Sequence, residues 1–322
     1  MTKSPSHPYP VFARFTDVAL RDGLQMETQF VPTRTKLEVA NALIAAGVKH
    51  LEVTSFVSPR AVPQMRDAAE LVESIDRSTG VHLSVLAPNQ KGVERALEAR
   101  VDTIVMFVSA SESHNSKNVN RSIADSTRGI KEAAGLAKSS AAQLQGAIAV
   151  AFGCPFEGDI EPSQLIPIVD AYLQAGFTGI TLGDTTGMAT PLNVERTVTA
   201  LLKRFDDIPL TLHFHNTRGM ALANVLRSLQ LGVTSFESSL GGIGGCPFAP
   251  GATGNVSTED AVHMLEHMGI TTGVDLPRLL DAARLLERVL GRPLPGQVIK
   301  SGDRLRRYDV VARSCKLIQQ RS

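Results

Sequence analysis

The chain has 322 residues, 43% of them hydrophobic and 20% charged, which fits a soluble globular protein with a large core and excludes disordered and collagen-like classes. Thirty-three Lys and Arg against 32 Asp and Glu leave a formal charge of +1, so no overall field recruits nucleic acid or an anionic membrane surface. No apolar run nears the roughly 18 residues of a membrane-spanning helix, the opening MTKSPSHPYP lacks the apolar stretch of a secretory signal, and three cysteines point to a reducing, cytoplasmic setting without a disulfide framework.

Short β-branched runs read as strands at 12–20, 50–53, 82–86, 103–108, 145–151, 179–182, 210–214 and 234–237. Between most of them lie helix-length segments with apolar residues three and four apart, as at Leu37, Ala40, Leu43 and Ile44. Strand and helix in alternation imply parallel pairing. Eight such units in about 250 residues predict an α/β fold of the (β/α)8 TIM-barrel type, and no Gly-rich nucleotide loop follows the first strand as it would in an open doubly wound sheet. Further C-terminal helices are expected at 261–268 and 277–290, completing a catalytic domain over 1–290. GRPLPG at 291–296 breaks the pattern, and from 300 onward Lys and Arg outnumber the acids, so 291–322 reads as a solvated basic tail.

Chemistry-bearing residues gather where strands end. His213 and His215 in LTLHFHNT are two apart on a strand, so both point to one face. A single inward His is more often a packing residue; two in register at the catalytic rim suit a metal pair. Asp22, beside Arg21 in ALRDGLQ, follows the first strand, and Asn255 in GATGNVSTED lies at an expected helix start, where it is either a ligand or an N-cap. A carboxylate, two imidazoles and an amide oxygen make a mixed set suited to octahedral Mg²⁺ or Mn²⁺, and the absence of any CxxC pair disfavours structural zinc. Cys246 sits in the glycine-rich stretch SLGGIGGCPFAPGATGN, a setting for a mobile lid carrying an acid or nucleophile. Cys154 in GCPFEG reads as a small buried hydrophobe and Cys315 as an idle tail thiol. Glu52 and Ser55 in LEVTSFVSP and Asp184 in TLGDTTG complete a polar ring that Arg21 and a cation would neutralise.

These blocks resemble the hydroxymethylglutaryl-CoA lyase family: RDGLQ at 21–25, EVTSFVSP at 52–59, VPQM at 62–65, GCPFEG at 153–158, LGDT at 182–185, HFH at 213–215 and GGCPFAPGATGN at 244–255. RDG and HxH also occur in the related isopropylmalate and homocitrate synthases, whereas the cysteine loop separates the lyases from them. The resemblance implies a cation held by Asp22, His213, His215 and Asn255, Arg21 near the thioester carbonyl, Cys246 on a flexible loop, and Glu52 and Asp184 in support. Gln25, Ser55, His114 and Asn216 would meet the acyl-CoA substrate, and a homodimer is expected. The implied reaction is divalent-metal-dependent C–C cleavage of 3-hydroxy-3-methylglutaryl-CoA to acetyl-CoA and a keto acid.

Three departures bear on the acyl group. Thr28 stands in METQ where the family often has Lys, HxHDT reads HFHNT with Asn216, and SASESHNSKNVNR carries His114 and Asn115. They leave room for a related substrate such as citramalyl-CoA. Asn216 also favours a Claisen-type condensing synthase, which the Cys246 loop opposes.

Overall fold

Eight parallel strands, β1 (Arg14–Asp17), β2 (His50–Ser55), β3 (His82–Leu86), β4 (Thr103–Ser109), β5 (Gln143–Ala149), β6 (Gly179–Asp184), β7 (Leu210–Phe214) and β8 (Ser235–Ser238), pair in chain order. The ring closes where Arg14 to Asp17 of β1 lie in register with Ser235 to Ser238 of β8. This is a (β/α)8 barrel in a computed structural model that describes residues 9–245 and 254–308. The helices are α1 (Thr33–Ala45), α2 (Ala68–Ser74), α3 (Gln90–Glu98), α4 (Glu112–Val119), α5 (Ile123–Ala137), α6 (Pro162–Gln174), α7 (Pro191–Arg204), α8 (Ala221–Gln230), α9 (Thr258–His267), α10 (Leu276–Leu290) and α11 (Val298–Ser301). Among the described residues no helix is long and apolar enough to cross a membrane.

The core follows from the pattern. On α1, Val39, Ala40 and Leu43 are buried against the barrel while Leu37 and Ile44 flank them, and a fully buried Leu of this kind contributes about 2 kcal/mol. Inside the sheet wall, the Tyr172 hydroxyl donates to the carbonyls of Met106 and Ala147 at 3.1 and 2.9 Å. Its ring lies where a Cβ on Gly146 would approach to 2.6 Å, so only glycine fits on β5 there.

Several strand boundaries differ from expectation, β1 and β5 most, and there the cause is local. β1 stops at Asp17, because Asp17 Oδ1 accepts the N–H of Ala19 and the Val18 carbonyl collects the N–H groups of Arg21, Asp22 and Gly23. Residues Ala19–Gly23 thereby wind into a π-helical turn instead of continuing the strand. β5 runs two residues earlier than read, and Val150 turns out of it with φ 52°. After α10, Leu294, Val298 and Ile299 are buried, and the Gly296 N–H donates to the Gly241 carbonyl at 3.0 Å.

Candidate active site

The π-helical turn lifts Arg21 and Asp22 over the C-terminal mouth of the barrel, the face on which TIM barrels carry their chemistry. Arg21 is clamped: Nη1 donates to Asp22 Oδ1 at 2.6 Å and Nη2 to Glu52 Oε2 at 2.8 Å. Burial works against its charge, but the Glu52 and Asp22 carboxylates outweigh burial and hold the guanidinium above its ordinary value. Its Nε remains buried without a partner. Gln25 donates from Nε2 to the same Asp22 Oδ1 at 3.1 Å.

His213 in β7 and His215 just beyond its end bring their imidazoles together. His213 Nε2 and His215 Nε2 approach to 3.0 Å, and the nearest Asp22 oxygen is 3.9 Å from His215. One potential ligand atom from each of Asp22, His213 and His215 lies within 4.8 Å of the others. Burial favours a neutral Asp22, yet Arg21 and the two histidines overcome it and keep the carboxyl below its usual range.

Asn255 reaches the same point from the far end of the chain, donating from Nδ2 to Asp22 Oδ2 at 2.8 Å and to the Ile243 carbonyl at 2.9 Å. Its Oδ1 is buried with no partner. It is not the cap of α9, because Ser257 Oγ accepts the Asp260 N–H in that role. Gly244, at φ +114°, makes this approach feasible: a Cβ there would come within 2.5 Å of Asn255 Nδ2 and 3.0 Å of Asp22 Oδ2. Two imidazole nitrogens an octahedral edge apart, an ionised carboxylate and an orphaned amide oxygen fit a divalent cation, since cis ligands at about 2.1 Å are separated by about 3 Å.

One participant escaped the sequence reading. Glu237 on β8 pairs in register with His213, and its Oε2 accepts from His213 Nδ1 at 2.7 Å while Oε1 accepts from Thr181 Oγ1 at 3.2 Å. Burial lowers the imidazole's basicity, and this hydrogen bond and the carboxylate charge more than restore it, so His213 titrates above its ordinary value. A carboxylate on Nδ1 leaves the Nε2 lone pair for a cation. The signal was an acidic residue in a buried strand next to the His strand.

The remaining candidates divide. Glu52 Oε1 in the middle of β2, and Ser55 Oγ and Asp184 Oδ2 at the ends of β2 and β6, are buried without partners. Asp184 Oδ1 is saturated by the Met188 and Ala189 N–H groups, and burial pushes the carboxyl up to about 7. Burial, with help from Glu237, also raises Glu52. His114 and Asn115 sit apart from the Asp22 cluster in their hydrogen bonding. His114 Nδ1 pairs with Ser109 Oγ at 2.7 Å, and Asn115 ties together Ser109, Arg121 and Ser126. Asn216 is exposed, and its Oδ1 accepts the Ala221 N–H at the start of α8. Cys154 is buried with Sγ donating to Ser111 Oγ at 3.0 Å. Cys246 and Cys315 lie outside the described residues.

Comparison with known proteins places these features in a group. The HMGL-like family model matches residues 13–286. A Bacillus subtilis hydroxymethylglutaryl-CoA lyase is 44% identical over 297 residues, 91% of this chain and 99% of that protein. The human mitochondrial hydroxymethylglutaryl-CoA lyase is 39% identical over 292 residues, 91% of this chain and 90% of that protein. Among solved structures, the Bacillus subtilis HMG-CoA lyase superposes with TM-score 0.88 at 43% identity, covering 91% of this chain and 99% of the other. An Acinetobacter baumannii HMG-CoA lyase in complex with coenzyme A and 3-methylmalate gives TM-score 0.89 at 42% identity, covering 93% and 98%.

Proposed function

The chain belongs to the HMGL-like family, and from that premise we propose that it cleaves 3-hydroxy-3-methylglutaryl-CoA to acetyl-CoA and acetoacetate with Mg²⁺ or Mn²⁺ held by Asp22, His213, His215 and Asn255. The observation that carries the reading is the Arg21 guanidinium fixed between Asp22 and Glu52 with its Nε unspent, beside the paired histidines.

The reaction removes the proton of the C3 hydroxyl, breaks the C2–C3 bond, and protonates the thioester enolate that results. When bound, the cation supplies polarisation of the hydroxyl and keto oxygens. Arg21 does the complementary work at the thioester end: its charge is already oriented and desolvated, so it stabilises negative charge as that charge develops on the carbonyl oxygen, with little reorganisation. Glu52 keeps the guanidinium plane in place. Asp184 takes up the hydroxyl proton at Oδ2, the oxygen left without a partner, and a carboxyl near neutrality is matched to that exchange. Cys246 returns a proton to the enolate carbon, an assignment that rests on its loop motif and on the acidity of a thiol. The condensing direction loses its one sequence argument, since Asn216 is engaged with the start of α8.

The direct test is to supply 3-hydroxy-3-methylglutaryl-CoA and citramalyl-CoA, with EDTA or with Mg²⁺, and to measure acetyl-CoA and keto acid. Acetoacetate release from the first substrate, abolished by EDTA and restored by Mg²⁺ or Mn²⁺, is expected. Absence of cleavage with the cation present would refute the proposal.

A further inference from the structure

A second group of metal-ligating side chains stands away from the barrel mouth. On α9, Asp260, His263 and His267 are three and four positions apart and share one helix face. The segment after α10 lies across that face. Asp260 accepts the N–H groups of Gln297 and Val298, α11 ends where Gly302 takes φ +75°, and the chain then presents Asp303 to the two histidines. His267 Nε2 meets Asp303 Oδ2 at 2.9 Å, and Asp303 Oδ1 accepts the Leu305 N–H at 2.7 Å. The Arg304 N–H donates to His263 Nε2 at 3.1 Å. A backbone N–H can only donate, so Nε2 is the lone-pair nitrogen of His263 and it is aimed at the Asp303 segment. The two rings are 4.6 Å apart between centroids, and one ligand atom from each of His263, His267 and Asp303 lies within 4.8 Å of the others.

We infer that His263, His267 and Asp303 form a second cation site, selective for a borderline divalent ion of the Zn²⁺, Co²⁺ or Ni²⁺ class. Two imidazoles with one carboxylate, without the amide oxygen that joins the set at the barrel mouth, suit such ions better than Mg²⁺, which prefers more oxygen donors and retained water. A helical His pair at i and i+4 is a known way of presenting two imidazoles to one ion. On binding, the ion takes the place of the proton between His267 Nε2 and Asp303 Oδ2, and that proton leaves to solvent. The Arg304 N–H gives up His263 Nε2 and turns to water, and further water completes the coordination sphere. The site is open to entry, with side-chain exposures of 24% for His267 and 41% for Asp303. An ion here would staple the chain after α11 to the helix whose preceding residues carry Asn255.

The experiment uses the full chain dialysed against micromolar Zn²⁺ in excess Mg²⁺, with bound zinc counted for wild type, His263→Gln, His267→Gln and Asp303→Asn. Mg²⁺-supported lyase activity serves as the folding control, because none of the three residues belongs to the catalytic machinery. Each variant should bind one zinc equivalent fewer, or bind it at least about tenfold more weakly, at unchanged activity. Zinc should also raise the wild-type melting temperature more than that of any variant. Equal zinc stoichiometry and affinity in wild type and all three active variants would overturn the site. Asp303, on the surface beyond α11, keeps the test decisive if a helix substitution impairs folding.

Discussion

Arg21 in the π-helical turn after β1 meets Glu52 on β2, Nη2 to Oε2 at 2.8 Å, with the Glu52 side chain only 2% exposed. A buried pair of this kind adds little net stability over an apolar replacement. What it provides is orientation: the guanidinium cannot rotate away from the mouth without stranding two carboxylates.

Arg21→Met should therefore lower kcat at least about 10²-fold, the scale of losing a preorganised donor to developing charge. It should also cost stability of about 3–5 kcal/mol, because Glu52 and Asp22 are left buried and uncompensated. Arg21→Lys keeps the charge without the fork and should recover stability better than turnover. Steady-state kinetics beside denaturant unfolding separate the two effects. A rise in KM with kcat intact would make Arg21 a substrate-holding residue.

Glu237→Gln preserves the shape opposite His213 Nδ1 but removes the charge that supports its basicity. Affinity for Mg²⁺ or Mn²⁺ should weaken about 10- to 100-fold with the barrel intact. Calorimetric titration checks this, and unaltered affinity would reduce the His213–Glu237 contact to packing.

Cys246→Ser should lose about 10²- to 10⁴-fold in turnover, since a serine hydroxyl is a far weaker acid than a thiol. Cys154→Ser should stay near wild type, because a hydroxyl can donate to Ser111 as the buried thiol does. Alkylation should inactivate the wild type and spare Cys246→Ser. Equal, near-normal turnover in both variants would remove the acid role.

Glu259 on α9 is buried, accepts the Gly241 N–H at 3.0 Å, and is pushed up to about 7 by that burial. The unfolded chain releases this proton near its ordinary value of 4.5. Between those limits the native state binds the proton and the unfolded state does not, so this group's stabilising contribution, complete below about 4.5, falls as pH rises toward 7. Glu259→Gln keeps an acceptor for Gly241 and should flatten the decline, leaving the variant more stable than wild type above pH 7 by roughly 1 to 3 kcal/mol. Urea midpoints at a series of pH values, at constant Mg²⁺, provide the measurement. A parallel pH profile in wild type and variant would contradict it.

The strands were legible because parallel barrel strands are short apolar runs punctuated by turns; β3 and β7 occupy the residues read from the sequence. The two-residue spacing of His213 and His215 was enough to place them on one face, and the barrel arithmetic placed that face inward. Three things needed the third dimension. The π-helical turn at Ala19–Gly23 depends on three N–H groups converging on Val18, which no periodicity reveals. Glu237 matters only through its register with β7, and register is a relation between strands. Lys36 sat on the buried face of α1, where its ammonium is satisfied by Asp67 and the Gln64 carbonyl, both at 2.6 Å, a pairing with no local sequence signature. Asn115 and Asn216 are polar residues in promising motifs that serve backbone groups, a use that composition alone does not separate from recognition.

The hydrogen bond between Asn255 and Asp22 spans 233 positions of chain. During synthesis Asp22 leaves the ribosome long before Asn255 exists. Asp22 waits for this partner until the eighth strand and the turn beyond it emerge. Under the proposed ligand set the chelate is complete only once the chain beyond the last strand has reached the turn after the first, and a truncated chain ending before residue 255 would lack one of the four ligands.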